Sequence, residues 1–403
     1  MAAVLLLLDG AADEPVDDLG GQTPLQAADL TTLHRAAAMG TVGWGLSVPN
    51  DLPVNPEISV LEILGYESRR FYPGRSALRA QALGIPVAPG DAIFSVTFLA
   101  TDGERILDTQ QQPDPTVVRE FARLVTERLT GRRWHWFVAD DPPLIFVLRQ
   151  AGSPAVCRSP EQVAGALLKD ALPQGDREEA LHQLIYSSLE LLDGLEFNKR
   201  RSDEGLPPVN LIWFYEEGRA VTIPSLVSLY GPVRAEAWTD HQPMIGLFTA
   251  IGVKVSSQRS LIGAEEKQEE DELVDGERWV RSRLAKTDLL ILHFRDPDRA
   301  GHQRDPERKI YVLRRWQEQF LNPFLNQWVK VPDGRLMVLC THRTSCRSGR
   351  HERGEVPFLL LPRYRTVKAD EFHEAAAKEG GLVADSLRQL SAWLFPSESV
   401  LPR

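Results

Sequence analysis

Asp298 and His302 stand four residues apart in the run Pro297-Asp298-Arg299-Ala300-Gly301-His302. At that spacing a carboxylate and an imidazole lie on one face of a helix, or converge in a tight turn, and can share one metal ion. A solvated Asp–His pair fits the same residues. A second pattern runs from Thr341-His342 to Arg350-His351, with Arg343, Arg347, Arg350 and Arg353 around the two histidines. Imidazoles amid guanidiniums suit a divalent metal beside a phosphate. A basic surface loop is the alternative. The three cysteines, Cys157, Cys340 and Cys346, have no zinc-ligand spacing and cannot all pair, which implies a reduced, cytosolic setting.

These residues need elements that bring them together. The apolar runs Val4–Leu8, Leu289–Phe294, Leu336–Cys340 and Val356–Leu361 read as buried strands of a parallel sheet, separated by longer helical patterns. Asp9-Gly10 ends the first run and Thr341-His342 ends the third. Ligands of open α/β sheets sit beyond the carboxyl ends of the strands. The polar residues at those ends, Asp9, Thr341 and His342, are therefore the first place to look.

A chain of 403 residues exceeds what one hydrophobic core usually supports, so a large and a smaller domain are expected. The texture changes after Pro86. Short strands (Ile93–Ala100, Arg105–Asp108, Trp134–Ala139, Leu144–Leu148) alternate with helical patterns (Pro115–Leu129, Pro160–Ala171, Arg177–Leu192). The expected organisation is a core of residues 1–85 and 194–403 with a small α/β domain, 86–193, inserted. Ala264–Asp271 is a charged run that reads as a solvated helix face or loop.

The formal net charge of -10 argues against nucleic acid or an anionic membrane as partner, while leaving room for a small anionic ligand held by a local arginine cluster. Met1–Asp9 has no basic leader, and its apolar run is too short for a signal peptide or a span. A soluble cytoplasmic protein is the expectation.

Taken in order, the motifs resemble those of the archaeal-type cofactor-independent phosphoglycerate mutases, a branch of the alkaline phosphatase superfamily. Asp9-Gly10 and Gly20-Gly21-Gln22-Thr23-Pro24-Leu25 are similar to the family's strand-Asp-Gly and "Gly-Gly-x-Thr-Pro-Leu". Ile63-Leu64-Gly65-Tyr66 and Tyr72-Pro73-Gly74-Arg75 follow. Then come Asn198-Lys199-Arg200-Arg201, Glu204-Gly205, Pro208-Val209-Asn210-Leu211-Ile212-Trp213 and Pro297–His302. The resemblance spans both ends of the chain. It implies a discontinuous alkaline-phosphatase-like core, with a mostly parallel sheet flanked by helices, plus an inserted smaller α/β cap. The implied activity is interconversion of 2- and 3-phosphoglycerate. A serine takes the phosphoryl group and returns it, and two divalent metals lower the serine's pKa and steady the charge.

Carried over residue by residue, the resemblance implies one metal on Asp298, His302 and His351. The second metal's positions are Asp9, Pro56, Thr341 and His342. Two of these depart from the family pattern. The family's "Gly-Ser-Asp" is Asn55-Pro56-Glu57 here, with Pro56 ten residues before Tyr66 as the serine should be. The family's "Ala-Asp-His" is Cys340-Thr341-His342, and His351 keeps its spacing ten residues after position 341. Proline has no nucleophilic atom, and threonine is a weak neutral ligand where a carboxylate is needed. Ser59 is the one candidate surrogate; about one helical turn, roughly 5 Å, further along, it is too far for in-line attack. A serine on the helix surface is its other reading. Arg75, Arg201 and Arg219 fall at substrate-binding positions. Glu216-Glu217-Gly218-Arg219 replaces a glycine-rich "Gly-x-Gly-Arg", and two acids there would repel an anionic substrate if they faced it.

The function these residues imply is that of a catalytically degenerate homologue, binding one divalent ion (manganese, zinc or magnesium) and a small phosphorylated ligand. Two histidines favour the transition metals. A working mutase or phosphohydrolase using metal-bound water or Ser59, and a structural or partner-binding protein, are the alternatives.

Overall fold

The structure, a computed structural model, describes residues 3–107, 115–256 and 269–395. The chain divides into two compact units, Met1–Tyr72 with Ile223–Arg403, and Pro73–Thr222.

The first unit is built on an eight-stranded sheet among the described residues. Its strands are β1 (Ala3–Leu8) and β2 (Thr41–Leu46). After the second unit's four strands come β7 (Ala235–Trp238), β8 (Lys254–Ser256), β9 (Leu289–Phe294) and β10 (Arg335–Cys340). β13 (Glu355–Leu361) and β14 (Leu382–Ala384) complete it. The order is β14-β2-β13-β10-β1-β9-β7-β8. β1 is buried along its length and runs parallel to both neighbours, as its unbroken apolar sequence requires. Leu8 is level with Cys340 on one side and Phe294 on the other. The three chains therefore leave the sheet together at Asp9, Thr341 and Arg295.

The fourth expected parallel strand is a correction. β13 runs antiparallel to β10 and to β2. A parallel return needs a crossover of about a dozen residues or more, usually a helix. Residues 341–354 instead stay at the site edge, where β11 (Arg343–Thr344) and β12 (His351–Glu352) pair as a short antiparallel ribbon. The chain re-enters the sheet from the edge it left.

The second unit holds a four-stranded antiparallel sheet in the order β4-β5-β3-β6. Its strands are β3 (Ala92–Ala100), β4 (Trp134–Val138), β5 (Leu144–Leu148) and β6 (Val209–Arg219). Phe94, Phe146 and Phe214 meet tilted or edge-on across β3, β5 and β6 at centroid separations of 5.2–6.3 Å. The helix Glu178–Leu192 packs on β6 through buried Leu181, Leu184, Ile185, Ser188 and Leu192, the spacing of one helix face.

The boundaries 86–193 are also corrected. β6 zips along β3 from Ala100 to Ala92, which draws residues 194–222 into this unit. Arg219 N donates to Pro73 O at 2.7 Å, so the segment from Pro73 comes with it. The expected strand Arg105–Asp108 is reduced to isolated bridges at Arg105 and Ile106, and Asp108 lies outside the described residues. Of the charged run Ala264–Asp271, residues 264–268 lie outside them too, and Glu269 opens a helix to Arg281. No helix among the described residues is long and apolar enough to cross a membrane.

The site edge of the first unit is braced from below by a fully buried ion pair. Lys309 Nζ lies 2.8 Å from Asp13 Oδ2 and donates to Thr344 O at 2.8 Å, while Asp13 also accepts from Cys346 N. Lys309→Ala leaves a buried carboxylate without its cation, and should lower unfolding free energy by about 3–5 kcal/mol. Urea denaturation measures this, and a loss under about 1 kcal/mol, the value of an exposed pair, would show that the pair is not a brace.

Candidate metal centre

Each site residue is placed by a strand end. Asp9 follows β1, and Thr341-His342 follows β10. Asp298 and His302 lie in the helix Asp296–His302 that follows β9, with Pro297 in its first turn. β12 returns His351 opposite Thr344 of β11. Gly10 makes the close approach possible. Its φ is +57°, and a Cβ there would sit 2.7 Å from Asp298 Oδ1.

Asp298 is the centre of the group. Its Oδ1 is 3.2 Å from His342 Nε2 and 3.3 Å from His351 Nε2. Its Oδ2 is 3.5 Å from His302 Nε2, which is 3.1 Å from His351 Nε2. Ligand atoms of Asp298, His342 and His351 all lie within 4.8 Å of one another. Two ligands about 2.1 Å from a tetrahedral ion stand about 3.4 Å apart, so these separations are those of a shared cation.

The other ring nitrogens decide how the imidazoles present themselves. His302 Nδ1 lies 2.9 Å from Gly349 O, and His351 Nδ1 lies 2.7 Å from Val54 O. A carbonyl only accepts, so both Nδ1 atoms carry the proton and both Nε2 atoms turn lone pairs inward. His342 Nδ1 is 2.8 Å from Thr341 Oγ1, whose own proton goes to Asp9 Oδ1 at 2.6 Å. His342 Nδ1 must then donate, and its Nε2 also faces Asp298 as a lone pair. Burial and the neighbouring His351 hold the His342 pKa down, keeping the ring neutral. Burial alone would raise the Asp298 carboxyl. Where the facing Nε2 atoms of His302, His342 and His351 carry protons in the cation-free site, they outweigh burial and hold the carboxyl well below the usual range; a bound cation would take the place of those protons. Three lone pairs and a carboxylate converging on one point fit a divalent cation. The side chain of His302 is 44% exposed, which puts the open side there.

His342 thus sits with Asp298 rather than with the Asp9 positions. Its Nδ1 is 4.0 Å from Asp9 Oδ1. Asp9 is engaged on both oxygens, by Thr341 on Oδ1 and by His293 Nε2 at 2.6 Å from Oδ2. Burial raises its pKa, but the His293 contact and the nearby His342 carry the net shift downward. His293 Nδ1 in turn meets Thr239 Oγ1 at 2.9 Å.

Pro56 opens the buried helix Pro56–Ile63. Its chain neighbours reach the site, Val54 through its carbonyl on His351 and Ser59 through Oγ, which donates to Thr341 O at 2.5 Å. Ser59 is buried and hydrogen-bonded to backbone, which corrects its reading as a helix-surface serine. Glu57 Oε1 is 3.6 Å from His241 Nδ1, both residues buried. Sequence reasoning missed His293, Thr239, Glu57 and His241. The signal for His293 was present as an ionisable residue inside the apolar run Leu289–Phe294.

The arginines of the 341–353 segment brace loops. Arg343 Nε donates to Glu355 O, Arg347 Nη2 to Pro15 O, and Arg353 to the carbonyls of Pro49 and Leu52. Arg350 is exposed. The three expected substrate arginines all fall in the second unit. Arg75 pairs with Glu216, Arg201 Nε donates to Pro207 O at 2.8 Å, and Arg219 is exposed at the end of β6.

Known proteins resemble this chain in sequence and in fold. A family profile described as 2,3-bisphosphoglycerate-independent phosphoglycerate mutase matches residues 37–198. The mutase of that description from Methanothrix thermoacetophila is 30% identical over 386 residues, covering 94% of this chain and 96% of its own. The chain belongs to the 2,3-bisphosphoglycerate-independent phosphoglycerate mutase family. The mutase of Methanosarcina barkeri is 28% identical over 95% of this chain and 96% of its own. Among solved structures, the PH0037 protein from Pyrococcus horikoshii superposes with a TM-score of 0.76 at 22% identity, covering 100% and 99% of the two chains. The cofactor-independent phosphoglycerate mutase from Thermoplasma acidophilum gives 0.59 at 18%, covering 98% of each. These two share the fold.

In this mutase homologue Thr341 orients His342 through a single hydroxyl. Thr341→Val should weaken divalent metal binding about 10–100-fold, the usual cost of removing a group that orients a ligand. Asp298→Ala should abolish it. Calorimetric titration of the chelator-stripped protein with manganese or zinc checks both, and unchanged affinity in Thr341→Val would contradict the tautomer argument.

Proposed function

We propose that this family member has lost the phosphoserine mechanism and holds one divalent cation at Asp298, His342 and His351, with His302 on the open side. A small phosphorylated ligand is the partner of that cation. The observation that carries the reading is Pro56. It stands at the first position of the helix where the resemblance implies the nucleophile, and it offers no atom to take a phosphoryl group. Ser59 supports the same reading, because its hydroxyl is committed to Thr341 O within the core.

The second cation position supports it independently. A family ligand set there would be anionic on two residues, and here Thr341 is neutral while Asp9 is engaged by Thr341 and His293. A bound cation would supply Lewis-acid polarisation of a phosphate oxygen. The chain's own residues orient the three imidazoles and exclude water from the buried side. Two histidines or more favour manganese or zinc over magnesium.

Elemental analysis should return about one equivalent of metal per chain, the count of a single shared site; two equivalents would contradict the reading. Conversion of 3- to 2-phosphoglycerate by manganese-loaded protein should be undetectable, or several orders of magnitude below a serine-bearing relative. Pro56→Ser alone should restore little. Pro56→Ser with Thr341→Asp should restore more than the two single changes together, as for residues that act as one unit. Robust turnover by the unmodified chain would sink the proposal. Ser59→Ala and His302→Ala would then separate a relocated nucleophile from a hydrolase that uses water.

A further inference from the structure

The second unit contains an acid in an uncommon backbone setting. Along β3 and β6, Ser95 is level with Tyr215 and Ile93 with Gly218. Glu216 and Glu217 together face the one intervening residue, Phe94, which makes this a β-bulge. Glu216 has a φ of +52°. That left-handed conformation suits glycine and is disfavoured for any residue with a Cβ. Bulges re-aim side chains, and this one sends the two carboxylates to different partners. Glu217 accepts from Cys157 N at 3.2 Å. Glu216 goes to two arginines.

The arginines stand one turn apart on the helix Arg75–Ala82. Arg75 Nη1 is 3.3 Å from Glu216 Oε1, and Arg79 Nη1 contacts Oε2. Each carboxylate oxygen thus meets its own guanidinium. Two hydroxyls complete the surroundings. Arg79 Nη1 donates to Ser95 Oγ at 3.0 Å, Ser95 Oγ lies 2.7 Å from Ser76 Oγ, and Ser76 Oγ donates to Glu216 O at 2.5 Å. The side chains of Arg75, Arg79 and Glu216 are 17%, 11% and 22% exposed, so the group is sheltered yet reachable from one side.

We propose that Arg75 and Arg79, the latter held in place by the Ser95–Ser76 hydroxyl pair, form a binding site for a small oxyanion, a carboxylate or a phosphate monoester, which the chain fills with its own Glu216. The two guanidiniums divide the carboxylate oxygens between them as they would those of a free oxyanion. A simple structural ion pair needs no left-handed backbone. Here a strained residue is kept at a bulge, and what its conformation delivers is a carboxylate between the guanidiniums. Tethering makes the plug effective, since an intramolecular ligand competes at an effective concentration in the millimolar range or above.

The test uses the full-length protein stripped of metal with a chelator, so that an anion held at the Asp298 group does not contribute. Inorganic phosphate and acetate are titrated separately, by calorimetry and by thermal shift. The unmodified chain should show no saturable binding of either. Glu216→Gly, which the backbone there accepts, should bind at least one of them at least ten-fold more tightly, and Glu216→Gly with Arg79→Ala should lose that binding. The arm that responds names the ligand class. A folded Glu216→Gly variant, verified by circular dichroism, that gains no binding overturns the proposal. So does a gain that survives Arg79→Ala, or Arg79-dependent binding already present in the unmodified chain. If Glu216→Gly does not fold, Glu216→Gln carries the same comparison, and absence of a gain there overturns the proposal.

Discussion

The shared level at which β9, β1 and β10 end governs the site. Leu8, Phe294 and Cys340 are neighbours across the sheet, so the residues that follow them leave at one height. A one-residue slip in a parallel pair would turn every side chain on that strand to the opposite face. β1 is apolar on both faces and would tolerate a slip better than most strands. The polar residues after it would not. Asp9 Oδ1 must meet Thr341 Oγ1 at 2.6 Å, and Gly10 must pass close to Asp298. The buried Lys309–Asp13 pair and the Thr344–Asp298 hydrogen bond of 2.5 Å fix the chain just beyond those ends.

From that edge, proton positions follow with little freedom. Three carbonyl or hydroxyl acceptors, Gly349 O, Val54 O and Thr341 Oγ1, set which nitrogen of His302, His351 and His342 carries hydrogen. The hydroxyl is the interesting member of the three. A threonine has one proton to give, and an ionised Asp9 can only accept it. The lone pair left on Thr341 is then available to His342. Position 341 therefore acts on the cation site indirectly, through the tautomer of its neighbour, although it is a poor ligand itself.

Much of this could be read from residue order. Asp9, Asp298, Thr341 and His342 stand directly at or just beyond apolar runs, and runs of that kind become buried parallel strands. The direction of β13 was not legible, because Val356–Leu361 is as apolar as a parallel strand would be. The shortness of the connection and its use as a ribbon set the direction. The unit boundary was hidden for a similar reason. Nothing in Val209–Arg219 says which sheet it joins, and its pairing with β3 bridges more than a hundred residues. Local pattern carries period and burial, while partner choice depends on non-local packing. The turn of the His342 ring, which brings Nε2 to 3.2 Å from Asp298, was not legible either, since residue order does not fix a side chain's direction. Charge alone was also a poor guide to the arginines, because a carbonyl near a guanidinium leaves no mark in sequence.

The departures from the family pattern share one physical logic. An aspartate at position 341 beside Asp9 would place two carboxylates together in a buried site, an arrangement that is stable only with a cation or a shared proton. Threonine removes one charge and returns a hydrogen bond, and His293 meets the other oxygen of Asp9. Both oxygens of Asp9 then have a neighbour within the chain. The Arg75–Arg79 pair follows the same course in the second unit, where Glu216 supplies from within the chain the anion that two sheltered guanidiniums require. In both places a charged group meets an internal partner. The Asp298 group has undergone no such change. Its imidazole lone pairs still converge on a carboxylate, and among the described residues it is the one cluster whose mutual distances match a shared cation. Donor atoms at such separations are suited to one shared cation. Internal partners at two places and a convergent donor set at the third are the contrast on which the proposed single cation site rests.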